Sequence, residues 1–327
     1  MVGSLQDIRL FVAAYEERSF TSAARREHAT QSGVSQHVQN LEKCFQISLF
    51  KREKGQVTPT PAGDQYYRSC LEVLRAHDAA TQGMKTFSGG LDGEISVGLM
   101  PTMTRCVLAP ALVRCTEAHP NAVLRIVEGY SAVLTDLVQG GKLDFAIVPA
   151  TAGIAGVKSR LFLRTPEVLV GAKAYTTRRT MEPVRAADLG RLRLVAPSRA
   201  NTRRLSIETY FTSNGVTIDR LIELDAMLGT LDLVGRSEWV AVLPGIMMAS
   251  EEEADTLTIN PLSSPPLTLD LMLIEPARRT ISPLAAEFLE ILETEGRRIN
   301  CRWDFLEEAR AKEPRRASRA DKTSALS

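Results

Sequence analysis

Between Phe20 and Arg52 the chain reads FTSAARREHATQSGVSQHVQNLEKCFQISLFKR, and its side chains are suited to recognition rather than catalysis. Val34, Val38, Leu41 and Phe45 recur at helical spacing and define one buried face. The other face carries Gln31, Ser32, Ser35, Gln36, Gln39 and Asn40, all uncharged hydrogen-bonding groups. A solvated helix face is usually filled with Glu and Lys. Short amides and hydroxyls are what a helix needs to read base edges in a major groove. Downstream, Lys51, Arg52 and Lys54 surround a turn at Gly55, and Val57 begins a returning strand. Such a basic hairpin suits phosphates and a minor groove.

No other residue set offers chemistry. The sequence lacks GxSxG, HExxH, a P-loop, and GxGxxG after a strand. His28, His37, His77 and His119 lie on expected helices or a turn, with no carboxylate or thiol at ligand spacing. Cys44, Cys70, Cys106, Cys115 and Cys301 show no CxxC pair, which favours reduced, mostly buried thiols. Neither an enzyme, a metal site nor a bound cofactor is expected.

The elements that position the reading face come next. Leu5, Ile8, Phe11, Val12 and Tyr15 make a first amphipathic helix. Ser19 or Thr21 caps a second, whose Ala23 and Ala24 let another helix cross closely. Thr30-Gln31-Ser32-Gly33 is read as the turn before a third helix from Val34 to Phe45. Leu49 and Phe50 anchor the hairpin. From Pro61 to about Ser88 a long helix carries Tyr66, Cys70, Val73, His77, Ala80, Met84 and Phe87 in a heptad seam, which predicts packing between two chains.

These motifs resemble the LysR-type transcriptional regulators. The residues that carry the resemblance are Phe11, Ala14, Glu17, Ser19-Phe20-Thr21, Ala23-Ala24, Gln31, Ser32, Val34, Ser35, Val38, Leu41, Glu42, Leu49, Phe50, Arg52, Thr60, Ala62 and Gly63. The family usually has Leu where Glu27 stands, Val or Leu at Ala29, and Pro-Ala where Ser32-Gly33 stand. A charge at position 27 predicts partial exposure or a local partner, and Gly33 predicts a loosened first turn of the reading helix. The resemblance implies a winged helix-turn-helix on double-stranded promoter DNA. It also implies a linker helix that pairs two copies, a homodimer or homotetramer, and a contact with RNA polymerase. Thr30, Gln31, Ser32, Ser35, Gln36, Gln39, Lys51, Arg52 and Lys54 are the expected DNA contacts.

Composition agrees with a need for pairing. The 327 residues carry 40 Lys and Arg against 39 Asp and Glu, so no global charge favours nucleic acid. Residues 1–90 hold eleven basic and nine acidic groups, a net of +2, so two copies on adjacent half-sites are needed to accumulate phosphate contacts. No apolar run approaches a membrane span and no signal peptide is apparent, so the expected compartment is the cytoplasm.

From residue 89 the pattern changes. Gly89 and Gly90 mark a hinge, and strand–helix alternation follows: EISVGLM (94–100), helix and strand over 111–129, and a capped helix with strand DFAIV over 131–149. A second set contains strands at 166–173, 192–197, 221–225 and 238–245, with helices at 201–215 and 227–236. A strand at 267–276 and a helix at 282–298 return. The expected fold is an N-terminal all-α winged helix-turn-helix (1–60), a linker helix and hinge (61–90), and a two-lobed α/β effector domain (91–300). Lobe I takes about 91–164 and 269–300, and lobe II 165–268. HPNAVLRIVEGYS, GGKLDFAIV and WVAVLPG resemble the LysR-type effector domain, which is like periplasmic binding proteins. Residues 301–327 read as a disordered tail.

Such sheets bind ligands at the carboxyl ends of their strands. The residues expected there are Pro101, Thr102, Met103, Thr104, Ser131, Pro149, Ser198, Asn201, Thr202 and Arg203. Helix N-termini at Thr102, Ser131 and Thr202, with Arg203 or Arg204 close by, point to a small organic acid as co-inducer. A solute-binding protein without promoter control is the alternative, against which stands the attached winged segment.

Overall fold

A computed structural model describes residues 3–53, 56–86, 93–150, 154–199, 201–249 and 256–306. The chain opens with three short helices, each started by a hydroxyl. Ser4 Oγ accepts the Asp7 N–H while the Asp7 carboxylate accepts the Ser4 N–H at 2.8 Å, a capping box that starts α1 (Leu5–Glu17). Ser19 caps α2 (Phe20–Arg26) by accepting from Ser22, and buried Ala23 and Ala24 leave room for neighbouring backbone.

Thr30 caps α3 (Gln31–Phe45) by accepting the Gly33 N–H at 3.1 Å. The expected turn at 30–33 is therefore corrected. Gln31, Ser32 and Gly33 form the first helical turn, and the chain reverses just before it, with His28 at a φ of 52°. A Cβ at Gly33 would lie 3.0 Å from Thr30 Oγ1, so glycine makes room for the cap rather than loosening the turn.

β1 (Phe50–Glu53) and β2 (Gln56–Pro59) pair antiparallel, with Phe50 opposite Pro59 and Arg52 opposite Val57. Thr60 then starts α4 (Pro61–Thr86), accepting the Gly63 N–H and donating to the Ser48 carbonyl.

One apolar core holds these pieces. The Phe11 ring lies 4.8 Å from Tyr66 and 5.4 Å from Phe50, centroid to centroid. Tyr67, Cys70, Leu71 and Leu74 of α4 are buried in the same cluster. The expected heptad seam thus divides. Cys70 is buried and half-buried Tyr66 packs on the core of its own chain, whereas Val73, His77, Ala80 and Met84 are exposed, and Phe87 lies outside the described residues. Phe45, expected on the buried face of α3, is 40 % exposed and touches Tyr66 edge-on.

Backbone contacts divide the whole chain into two compact units. The first contains residues 1–104, 108–162 and 270–293, including everything described so far. Its sheet runs β4 (Val123–Glu128), β3 (Glu94–Leu99), β5 (Phe145–Pro149), β12 (Thr268–Pro276). The first three strands are parallel and β12 is antiparallel to β5. α5 (Pro101–Thr104), α6 (Leu108–Ala118) and α7 (Ser131–Gln139) are the crossovers.

The second unit contains residues 105–107, 163–269 and 294–327. Its sheet runs β6 (Val157–Ala172), β10 (Val240–Pro244), β8 (Arg191–Ala196), β9 (Thr217–Glu223), with β11 (Leu257–Ser264) on β6 and β7 (Val184–Arg185) on β11. α8 (Thr202–Ser213) and α9 (Met227–Gly235) connect the parallel strands, and α10 (Pro283–Asn300) follows β12. β7 and β11 were not expected from sequence, and β6 starts nine residues before its apolar run. No described helix is long and apolar enough to cross a membrane.

Candidate nucleic-acid interface and effector site

The reading face is built on the buried side of α3. Val34, Val38 and Leu41 are fully buried, which fixes the helix's rotation. Opposite them, Gln31, Ser35 and Gln39 form one i,i+4 row and Ser32, Gln36 and Asn40 the next. Gln31, Ser32, Gln36 and Asn40 are exposed, and Ser35 and Gln39 are half-buried. Gln36 Nε2 donates to Asn40 Oδ1 at 3.0 Å, so the amide is already oriented along the face. Thr30 is the helix cap, its hydroxyl 3.2 Å from Ser32 Oγ.

Two carboxylates tie this helix to its surroundings. Glu42 Oε1 accepts the N–H groups of Leu49 and Phe50 at 2.7 and 3.1 Å, which fixes the hairpin against α3. Asp7 Oδ1 sits 2.5 Å from His37 Nδ1, linking the start of α1 to the reading helix. Burial raises the Asp7 pKa, but the hydrogen bonds from His37 and Ser4 outweigh it, and its carboxyl lies below the ordinary aspartate value. On the hairpin, Lys51 is exposed opposite Thr58 and Arg52 lies on β1, while Lys54 lies outside the described residues.

The expected effector residues fall into two groups. In the first unit, Pro101, Thr102, Met103 and Thr104 form α5 after β3, Ser131 opens α7 after β4, and Pro149 ends β5 opposite Leu271. All stand at the carboxyl end of the parallel strands. Thr102 and Ser131 are buried, and Thr104 Oγ1 binds the Glu128 carboxylate. Ser131 is the first helical residue rather than a cap. The cap position is Tyr130, whose side chain makes no capping hydrogen bond. Met103 is fully buried with its N–H on the Met100 carbonyl, which corrects its expected place at a ligand surface.

In the second unit, the Ser198 N–H donates to Asp225 at 2.9 Å, Asn201 caps α8, and Thr202 is exposed. Arg203 requires a correction. Its guanidinium is buried, donates to both oxygens of Glu167 at 2.9 and 2.8 Å, and reaches the Val242 carbonyl. Arg204 is likewise buried, on Glu208 and the Pro197 carbonyl. Neither is a free cation for an anionic ligand.

Sequence reasoning also missed partners supplied from far along the chain. For Glu27 the expectation is partial exposure or a local partner; it is half-buried and meets Arg26 locally and Arg278 from 251 residues away. His37 and His119 each meet one carboxylate, Asp7 and Glu287, although no group of three or more metal-ligating side chains exists among the described residues. All five cysteines are free thiols. Burial pushes the Cys70 thiol up to about 11 and raises that of Cys115, so neither favours the thiolate. Cys44 and Cys301 are exposed, so the thiols are less uniformly buried than expected.

Comparison with known proteins agrees with this architecture. Residues 5–64 match the family model described as bacterial regulatory helix-turn-helix protein, lysR family, and residues 88–297 match the LysR substrate binding domain. The chain is 28 % identical to the nitrogen assimilation regulatory protein nac of Escherichia coli K12, covering 87 % of this chain and 92 % of that one. It is 26 % identical to the transcriptional activator AaeR of the same organism, over 73 % and 82 %. Among solved structures, Corynebacterium glutamicum OxyR superposes with a TM-score of 0.57 at 20 % identity over 94 % of this chain and 97 % of that one. Full-length CbnR in complex with its target DNA gives 0.52 at 16 %, over 90 % and 100 %. These relatives are regulators, not enzymes, and the chain belongs to the LysR family of DNA-binding transcriptional regulators with an effector-binding domain.

Proposed function

We propose that the chain controls a promoter in the cytoplasm by laying α3 in the major groove, with Gln31, Ser32, Ser35, Gln36 and Gln39 on base edges and Thr30 at the helix start. Lys51, Arg52 and Lys54 take phosphates. The observation that carries this reading is the pair of uncharged, solvent-facing rows on a helix whose opposite side is fully buried. The exposed stripe Val73, His77, Ala80 and Met84 supports pairing of α4 with a second copy, giving a homodimer and then a homotetramer that spans two operator sites and contacts RNA polymerase. The two classes of contact separate in a titration. Lys51→Ala is expected to weaken all DNA alike and flatten the slope of log affinity on log salt by about one unit. Gln36→Ala should instead change base preference and leave that slope unaltered.

The effector is a small carboxylate held at the N-terminus of α7. Tyr130 leaves that helix start without a side-chain cap, and the Ser131 hydroxyl is buried beside it. Pro101, Thr102, Thr104 and Pro149 flank that end of the first unit. With Arg203 committed to Glu167, the anion is held by N–H groups and hydroxyls. A thermal-shift screen of aromatic and dicarboxylic acids tests this. A ligand at about 100 times its Kd stabilises by about 2.7 kcal/mol, which raises Tm by several degrees. A screen in which only neutral or cationic compounds stabilise the chain contradicts the assignment.

A further inference from the structure

Two loops of the effector half of the first unit are seated directly on its winged half. The Tyr67 hydroxyl on α4 is the joint: it donates to Glu16 Oε1 at 2.8 Å and accepts the Gly156 N–H at 2.9 Å. Glu16, at the end of α1, has a wholly buried side chain and is ion-paired with Arg26 of α2. A Cβ on Gly156 would come within 2.6–2.8 Å of the Glu16 carboxylate, and its φ is +79°, so both the approach and the backbone demand glycine. The second loop follows β12. Ala277 belongs to the apolar core of Phe11 and Leu74, and its carbonyl accepts from Arg75 of α4. Asp78 of α4 accepts the Thr280 N–H at 3.0 Å. Between them Arg278 Nη1 donates to Glu27 Oε1 at 3.0 Å.

Two ion pairs lie here, in different settings. Glu16–Arg26 is closed off, with side chains 0 and 9 % exposed, and separating it would strand a buried charge. Glu27–Arg278 is 17 and 15 % exposed and borders a cavity of about 260 Å³, also lined by Arg9, His77, Asp78 and Arg279. Water in that cavity can rehydrate the two charges when they part. Burial and the like charge of Arg26 lower the Arg278 pKa, and Glu16 and Glu27 offset this only in part, so the charged guanidinium is not strongly favoured in its seat.

We propose that α1, α2 and α4 form a docking surface for the effector loops of the same chain, and that Glu27–Arg278 is the releasable pair that closes it. The inference rests on the reading that the effector half senses a ligand. It adds a direct route to the reading helix, alongside the linker and the subunit arrangement. Arg278 directly continues β12, whose Leu271 pairs with Pro149 at the proposed ligand end. On the other side, α1 carries Glu16 at one end and, at the other, Asp7, which holds His37 of α3. A shift of β12 therefore acts on the contacts that orient the reading helix.

Amide hydrogen exchange on the full chain, without DNA or effector, tests the latch. In Glu27→Arg and in Arg278→Glu, the amides of Gly156 and Thr280 are expected to exchange at least tenfold faster than in the parent. In Glu27→Arg/Arg278→Glu, where the pair is restored with its charges exchanged, they should return to within about threefold. Tyr67→Phe keeps the ring and removes both hydroxyl bonds, so it should release Gly156 even if a charge reversal unfolds the winged half. Unchanged exchange in the single variants and in Tyr67→Phe, or a double variant no slower than the singles, overturns the proposal. Adding a fragment of the chain's own promoter should alter exchange at 276–281 in the parent and not in Arg278→Glu, because coupling between two sites is reciprocal. Bound DNA with no change at those amides overturns the coupling. Failure of DNA to bind would count against the proposed function instead, and leave the DNA-free comparison to decide the latch.

Discussion

Glu167→Ala is expected to destabilise the second unit by about 3–5 kcal/mol, because it strands a buried guanidinium. Glu167 is 3 % exposed and Arg203 5 %, and the carboxylate accepts two parallel bonds that fix the start of α8 against β6. With Glu167 gone, the acceptor left to Arg203 among the described residues is the Val242 carbonyl, which carries no charge. Replacing both residues by apolar ones of similar volume, as in Glu167→Leu/Arg203→Met, should cost far less, since no charge is then desolvated. Urea unfolding followed by tryptophan fluorescence isolates this unit, because Trp239 and Trp303 are the two tryptophans of the chain and both lie in it. A loss below about 1 kcal/mol, the range of exposed pairs, would mean the pair is open to water and Arg203 is available to a ligand after all.

Gly63→Ala should destabilise the winged half by about 2–3 kcal/mol, as expected of overpacking that no rotamer can relieve. An added Cβ would lie 2.2 Å from the Leu49 carbonyl oxygen, which is backbone. That oxygen accepts the Thr60 N–H at 3.0 Å, and Thr60 in turn caps α4, so the clash cannot be relieved without moving the cap. The first turn of α4 must shift against the hairpin, and the hairpin then shifts against the Glu42 carboxylate that holds it on α3. Operator affinity should fall together with the melting temperature of this half, which the helical signal of a thermal melt reports. A Gly63→Ala chain that melts and binds like the parent would show the joint to be slack.

Much of the winged half can be read from sequence because its determinants are local. Apolar residues three and four apart place α1, α3 and α4, and Ser19 and Thr30 sit where a helix needs a hydroxyl. The misreading of 30–33 came from taking Gly33 as a turn residue, when its lack of a Cβ serves the Thr30 cap. Phe45 fits the apolar spacing of α3, but α3 has almost ended there and Tyr66 covers only part of the ring. Thr60, Ala62 and Gly63 entered by resemblance to relatives; the contact with the Leu49 carbonyl supplies the physical reason for Thr60 and Gly63, and Ala62 packs against the winged core.

Determinants set by distant residues were not legible. Arg203 beside Arg204 on α8 looks like a cationic surface, and only the fold brings Glu167 to it from β6. Glu27 breaks the family pattern in a way that sequence could flag, but its partner Arg278 lies on a loop of the effector half. β11 escaped notice because Asn260 and Pro261 interrupt its apolar run. Asn260 is buried nonetheless, its amide donating to the carbonyls of Arg179 and Glu182.

The most direct test of the account is a titration of the full chain against duplex DNA from the intergenic region beside its own gene, at fixed salt, compared with unrelated DNA of equal length. The parent is expected to prefer its own region by about 10³-fold or more. Gln36→Ala is expected to lower that ratio by about 5- to 150-fold, corresponding to about 1–3 kcal/mol of base discrimination in total. Equal affinity for both DNAs, or a Gln36→Ala chain that discriminates as well as the parent, would contradict the claim that α3 is the reading helix.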